Sequence, residues 1–259
     1  MGETTLRVAL AQFDVGADID DVLRAAREEG ASIVVFPEMY SNGYGRFSAD
    51  EREDWIAAAA PLGGDYIERF RAAARLHDIA VVATFLERGE PKPFNTAVLI
   101  DRRGDIVLHQ RKRHICFFDV PEEACAAGVS SEVVRLETEQ GPVAVGIMIC
   151  MDREFPDVVT DLVRSGAEII LVPNSCRLVE DAEVGDVRLA GIRAMAFQSV
   201  AGVAVTNYPE PKDDGHSLAV GPSGEVVVLG GRAPELVMAD FDITAIRAAQ
   251  AREWFRRVR

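Results

Sequence analysis

Three short stretches of the chain carry side chains suited to acyl-transfer chemistry. Cys150 closes the apolar run at residues 145–150 and is followed by Met151-Asp152-Arg153-Glu154-Phe155-Pro156, which opens a helix. A thiol at a strand-to-helix junction gains twice: the helix N-terminus favours its thiolate, and the free backbone N–H groups there hold a developing oxyanion. Glu38 follows Val34-Val35-Phe36-Pro37, which puts a carboxylate at the C-terminal end of a buried strand, where α/β proteins build their sites. Lys112 lies in Gln110-Arg111-Lys112-Arg113-His114, and a lysine beside a cysteine stabilises a thiolate or a tetrahedral oxyanion. Each residue alone also has an ordinary reading: a packed core cysteine, a solvated loop glutamate, and a basic run on the surface or at a phosphate.

The elements that must position these residues alternate between strand and helix along the whole chain. Strands are expected over residues 6–13, 31–36, 79–86, 143–150, 169–173, 203–207 and 236–243, where apolar and β-branched residues run together. Helices are expected over 19–29, with Asp18 as N-cap and Gly30 as stop, and over 65–77, 155–165 and 187–200. Thr244 is expected to cap a final basic helix. Turns at Arg103-Gly104-Asp105 and Pro222-Ser223-Gly224 predict hairpins of 96–101 with 106–110 and of 217–220 with 225–229. The pattern is an α/β fold with helices outside mixed sheets. It leaves open whether there is one sheet or two. With no repeat, low-complexity tract or linker, residues 1–259 are expected to form a single domain.

Composition narrows the function classes. The 259 residues hold 28 Lys plus Arg against 42 Asp plus Glu, a formal charge of −14, with 48% hydrophobic residues. That acidity argues against a nucleic-acid partner and against an electrostatic membrane binder. No stretch approaches the roughly 20 apolar residues of a membrane span. Cys116, Cys125, Cys150 and Cys176 form no C-x-x-C and match no zinc spacing, so no metal is expected. The N-terminal residues lack the basic region of an export signal, which leads to the expectation of free thiols in a reducing cytoplasm.

Taken in order, the motifs are more specific than any one of them. Val35-Phe36-Pro37-Glu38-Met39, Arg111-Lys112-Arg113-His114, the segment from Gly146 to Pro156 around Cys150, and Gly166-Ala167-Glu168-Ile169-Ile170-Leu171-Val172-Pro173-Asn174 follow one another at sensible separations. Over nearly its whole length the chain resembles the carbon–nitrogen hydrolases of the nitrilase superfamily. That resemblance implies a four-layer α-β-β-α sandwich and a Glu-Lys-Cys catalytic set without a cofactor. Carried over, Glu38 is the general base, Lys112 stabilises the tetrahedral intermediate, Cys150 is the nucleophile, and the N–H of Met151 completes the oxyanion hole. The family's second glutamate falls on Glu122, with Glu123 as the alternative. Tyr44, in the loop after Glu38, together with Glu154 and Asn174, is assigned to substrate binding. The family usually assembles, so a homodimer or larger homo-oligomer is expected.

The residues after the nucleophile bear on the substrate. Nitrilases proper tend toward Cys-Trp-Glu, whereas Cys150-Met151-Asp152 resembles the amidase and carbamoylase branches. A small linear amide or N-carbamoyl compound is therefore the expected substrate, with a nitrile as the runner-up. Arg153 matches the first arginine of the carbamoylase pattern Cys-x-Asp-Arg-Arg, and Glu154 departs from the second. If Glu154 faces the pocket it disfavours an acidic substrate; otherwise it is a helix-start glutamate that complements the dipole. Gln198-Ser199 stand where the family usually has Glu-Asn, which weakly favours a non-catalytic binding protein that keeps the fold. A serine hydrolase is disfavoured because Gly215-His216-Ser217-Leu218-Ala219 fails the last position of G-x-S-x-G. A dinucleotide oxidoreductase is disfavoured because no G-x-G-x-x-G follows the first strand.

Overall fold

The computed structural model describes residues 4–43, 52–117 and 121–252. Twelve strands form two sheets. The first sheet contains β1 (Thr5–Gln12), β2 (Ile33–Val35), β3 (Ala80–Glu87), β4 (Phe94–Ile100), β5 (Ile106–Arg111) and β12 (Glu235–Asp242), in the order β12-β1-β2-β3-β4-β5. The second contains β6 (Val133–Thr138), β7 (Gly141–Ile147), β8 (Ile169–Pro173), β9 (Gly202–Thr206), β10 (Leu218–Val220) and β11 (Val226–Leu229), in the order β11-β10-β9-β8-β7-β6. Each sheet is parallel at its centre, β1-β2-β3 in one and β7-β8-β9 in the other, and antiparallel toward its edges.

The period-2 alternation of the strands builds four layers. In β1, Leu6, Val8 and Leu10 face inward and meet Val145 and Ile147 of β7 and Ile169 and Leu171 of β8 in the core between the sheets. Ala9 and Ala11 point the other way, where α1 (Ile19–Glu28) and α3 (Asp65–His77) cover the first sheet through Leu23, Ile67 and Phe70. On the second sheet Ile170 and Val172 face α4 (Pro156–Arg164) and α5 (Gly185–Ser199) through Val158, Leu162 and Ile192. The result is an α-β-β-α sandwich, and the number of sheets is two.

Most expected elements are present with ends moved by one to three residues, and four details differ. The strand expected to run to Cys150 stops at Ile147, and Cys150–Glu154 is a short 3₁₀ segment. The edge strand β6 and the short helix α2 (Arg52–Ala57) have no counterpart among the expected elements. The last helix, α6 (Ile243–Arg252), is capped by Asp242, whose Oδ1 accepts from Ala245 N at 2.8 Å. The Thr244 hydroxyl instead accepts from Thr4 N at 3.1 Å. Asp18 does cap α1, accepting from Asp21 N at 3.2 Å.

Candidate active site

The loops that leave β2 of one sheet and β8 of the other meet at the C-terminal ends of the parallel strands. Glu38 N donates to Asn174 O at 3.2 Å, and the Tyr208 hydroxyl donates to Glu38 O at 2.9 Å, so Glu38 is pinned by residues of the opposite sheet. Thr84 supports the same turn: its hydroxyl donates to Pro37 O and accepts from Tyr40 N at 3.0 Å. The Glu38 side chain is fully buried.

Lys112 enters this pocket from the end of β5. Its N–H donates to Asn95 O at 2.8 Å, and its carbonyl accepts from Gly128 N at 2.7 Å. Gly128 lies so close that a Cβ there would stand 2.4 Å from Arg111 O, which is why only glycine allows the two backbones to meet. Lys112 Nζ donates to Glu38 Oε1 at 2.8 Å and to Glu122 Oε2 at 2.9 Å, with no exposure of the lysine side chain. Asn95 Nδ2 bridges the same carboxylates, at 2.8 Å from Glu38 Oε1 and 2.6 Å from Glu122 Oε1. Burial pushes the Lys112 ammonium down, but Glu38, Cys150 and Glu122 outweigh it and hold the group protonated well above the ordinary lysine range. Glu38 Oε1 is thus engaged twice, while Oε2 is buried without a hydrogen-bond partner among the described residues.

The basic run around Lys112 is internal stapling. Arg111 pairs with Glu87 at 2.7 Å, Lys112 with Glu38 and Glu122, and Arg113 with Asp157 and Asp161 of α4 at 2.9 and 2.7 Å. Asp152, fully buried two residues after Cys150, fastens this run to the nucleophile turn. Its carboxylate accepts from Ile149 N at 3.1 Å, from Arg113 N at 3.1 Å and from His114 N at 2.9 Å, and contacts His114 Nδ1 at 3.1 Å. The His114 ring stacks flat on Phe155 at 3.8 Å. One carboxylate therefore fixes where Lys112 stands relative to Cys150.

Cys150 adopts a left-handed backbone with φ of 45° at the start of the 3₁₀ segment, a strained conformation of the kind that collects at functional sites. Its Sγ lies 3.8 Å from Ser175 O and 3.6 Å from Arg153 Nη1. The same guanidinium donates to Asn174 Oδ1 at 2.5 Å and reaches Cys176 Sγ at 3.5 Å through Nη2. A hydrogen bond to Cys176 together with burial raises the Cys150 thiol well above the ordinary cysteine value. That bond, with Arg153 and Asn174, lowers Cys176 to about 6 in spite of burial. Met151 follows in the first turn of the 3₁₀ segment, where a helix start leaves N–H donors unpaired. Its Sδ lies 3.1 Å from Cys116 Sγ.

Of the residues singled out from the sequence, Glu38, Lys112 and Glu122 are in direct contact. Cys150 is near enough that Lys112 and Glu38 both act on its thiol. Glu122 takes the place for which Glu123 was the alternative, because Glu123 turns outward to Arg52 at 3.3 Å. Glu154 is exposed and pairs with Arg153 at 3.3 Å; it stands outside this cluster. Asn174 is buried, with its amide engaged by Arg153, by Asn207 Oδ1 at 2.9 Å and by Cys176 Sγ at 3.4 Å, so it supports Arg153 and Cys176. Tyr44 lies outside the described residues. Asn95, Asp152, Cys176, Asn207 and Tyr208 are site components that the sequence reading did not assign. Asp152 had a local signal in its fixed spacing from Cys150, Asn207 one in the Thr206-Asn207 pair that adds to the family resemblance, and Cys176 one as the start of the loop 176–186 expected near the pocket mouth. Among the described residues no group of three or more His, Cys, Asp and Glu is placed to hold a metal ion, and no helix is long and apolar enough to cross a membrane.

Comparison with known proteins gives the same direction. The carbon-nitrogen hydrolase family model matches residues 17–251. A Pseudomonas protegens protein described as a hydrolase in the pqqF 5' region is 31% identical, over 93% of this chain and 84% of its own. Human deaminated glutathione amidase is 26% identical, over 88% of this chain and 72% of its own. A crystal structure of an amidase from Nesterenkonia sp. superposes with a TM-score of 0.76 at 26% identity, covering 98% of this chain and 97% of that one. A variant of that amidase carries the acetamide moiety of fluoroacetamide covalently on its active-site cysteine.

Proposed function

The chain belongs to the carbon-nitrogen hydrolase family, and from that membership we propose that it hydrolyses a small linear amide or N-carbamoyl compound through a thioester on Cys150. The observation that carries the reading is the division of labour at Glu38. Oε1 is tied to Lys112 and Asn95, whereas Oε2 is buried and free among the described residues. A carboxylate held this way has one oxygen fixed for geometry and one open for proton transfer.

The resting Cys150 is a thiol, so attack needs a base. Glu38 takes the thiol proton as the sulfur bonds to the substrate carbonyl carbon. The carbonyl electron pair moves onto oxygen, where the Lys112 ammonium and the Met151 N–H stabilise it. Collapse of the tetrahedral intermediate expels ammonia or an amine, which leaves with the proton from Glu38. Water then gives a proton to Glu38, attacks the thioester, and restores the thiol with release of the acid. Lys112 stays charged while Glu38 carries the proton because Glu122 remains paired with the ammonium. Glu122 fixes the ammonium from the other side. No metal or organic cofactor takes part in this scheme.

The substrate class rests on the branch resemblance at Cys150-Met151-Asp152 and on the amidase named among the similar structures. Ammonia release from a panel of small amides, N-carbamoyl amines and acids, and nitriles, with Cys150→Ala beside the wild type, tests the reading. Release from amides or carbamoyl compounds that vanishes in the variant is the expected result; turnover of nitriles alone overturns the substrate class. Assembly as a homodimer or larger homo-oligomer belongs to the same reading, and a solution mass of one chain overturns it.

A further inference from the structure

Cys176 is a nucleophilic side chain in the site for which the hydrolytic scheme has no use. It sits on the segment that leaves β8, two residues after Asn174, and it is partly exposed where Cys150 is buried. A single guanidinium holds both sulfurs, with Arg153 Nη1 at 3.6 Å from Cys150 Sγ and Nη2 at 3.5 Å from Cys176 Sγ. The carbonyl of Ser175, the residue next to Cys176, also lies 3.8 Å from Cys150 Sγ, which keeps the Cys176 segment against the nucleophile. Asn174 Nδ2 adds a donor to Cys176 Sγ at 3.4 Å, and Asn207 Oδ1 fixes the Cys176 N–H at 3.3 Å. The other two cysteines differ: burial pushes Cys116 and Cys125 up, Cys125 to about 12, even though Lys112 Nζ stands 3.6 Å from Cys116 Sγ.

We propose that Cys150 and Cys176 form a peroxide-reactive pair, in which oxidation joins them as a disulfide that masks the nucleophile and shields it from irreversible oxidation. A thiolate beside a cation and next to a second thiol is the arrangement that reacts with peroxide and is then resolved within the protein. Cys176 is the more exposed sulfur and receives two donors, Arg153 Nη2 and Asn174 Nδ2, where Cys150 receives one, so it is the sulfur placed to react first. Its Sγ attacks a peroxide oxygen, the O–O bond breaks, and the departing hydroxide leaves as water with a proton from solvent. Cys150 Sγ then attacks the sulfenic sulfur, the S–O bond breaks, and the second hydroxide leaves as water with the Cys150 proton. Two thiols lose two hydrogens and one peroxide is reduced to two waters. A dithiol reverses the step by exchange.

The inference shares only Cys150 with the proposed function, and its first readout needs no substrate. Purified protein is treated with a small excess of hydrogen peroxide and analysed by intact mass and peptide mapping, beside Cys176→Ser. Wild type is expected to become lighter by two hydrogens, to give one linked peptide joining Cys150 to Cys176, and to return to its starting mass with dithiothreitol. Cys176→Ser is expected to form no such link and to gain oxygen at Cys150 that dithiothreitol does not fully remove. Wild type that gains oxygen without a linked peptide, or that links Cys150 to Cys116 or Cys125 instead, overturns the proposal. Failure of the amide panel with the link intact would count against the hydrolytic reading alone.

Discussion

Lys112 Nζ and Glu38 Oε1 meet at 2.8 Å with neither side chain more than 1% exposed, although 74 positions separate them in the chain. A buried ion pair of this kind is weak as a source of net stability, because both charges lose their water. Its value here is a fixed charge: the ammonium is held protonated, and one oxygen of the glutamate is held in place while the other stays open. Removing one member should therefore damage both stability and chemistry.

Lys112→Met should leave Glu38 and Glu122 as two like charges in a buried site. The expected loss of stability is about 3–5 kcal/mol, the range for breaking a buried pair, with ammonia release falling to the level of Cys150→Ala. Glu38→Gln keeps the volume and the contact to Asn95, so it should lose far less stability while losing activity as completely. Urea unfolding alongside single-turnover assays separates the two effects, and equal stability losses in both variants would remove the division of roles.

Asp152→Ala should uncouple the nucleophile turn from the Lys112 strand. It leaves the buried N–H of Ile149 and the N–H groups of Arg113 and His114 without their acceptor. The expected cost is about 3 kcal/mol, since each unsatisfied buried donor costs roughly 1–3 kcal/mol. kcat should fall with little change in KM, because no group that touches substrate is removed. Unchanged kcat in a folded Asp152→Ala protein would show that the fastening is not needed for chemistry.

Glu87 predicts a pH dependence of stability. Burial pushes its carboxyl up, but hydrogen bonds from His109, Arg111 and Thr96 outweigh burial and lower it from 4.5 to about 2. A lowered folded-state value means stability that is fully present above the unfolded value and is lost as pH falls through the folded one. Glu87→Gln should be less stable than wild type at neutral pH by at most about 3 kcal/mol. That difference should shrink between about pH 4.5 and 2 and vanish below. Thermal melts across pH 2–8 check this; a constant difference at all pH values would contradict it.

The four cysteines should differ sharply toward a limiting alkylating agent. With Cys176 lowered to about 6 and Cys125 raised to about 12, labelling by iodoacetamide at neutral pH should fall on the Cys150–Cys176 pair before Cys125 or Cys116. Site-resolved mass spectrometry reads this ranking. Early labelling of Cys125 would contradict the charge assignment in the site.

Glu154→Gln should be nearly silent. The side chain is 46% exposed and its partners are Arg153 and the more distant Arg188. Surface substitutions of this kind change stability by less than about 0.5 kcal/mol, and activity toward cationic and anionic amides should both stay within about twofold of wild type. A selective gain toward anionic amides would put Glu154 back among the specificity residues.

The sequence by itself determined the strand and helix periods, the two hairpins, and the order of the motifs around Glu38, Lys112 and Cys150. These signals are local: alternation in β1, the proline after β2 and the cap at Asp18 are each written within a few residues. The number of sheets came from the family resemblance and was not legible in the patterning, because the same period-2 pattern serves one buried sheet or two packed face to face. Nor was the fate of the basic run. Lys112 was assigned to the site, but the sequence left open whether the run around it is a solvated face or a local site, and each of Arg111, Lys112 and Arg113 finds its own carboxylate on a different element. The Cys150–Arg153–Cys176 contacts were equally invisible, since Cys176 reaches Arg153 only when β8 lies beside β7. Tertiary packing decided these features because a charged or nucleophilic side chain takes its character from partners that only the folded sheets bring within bonding distance.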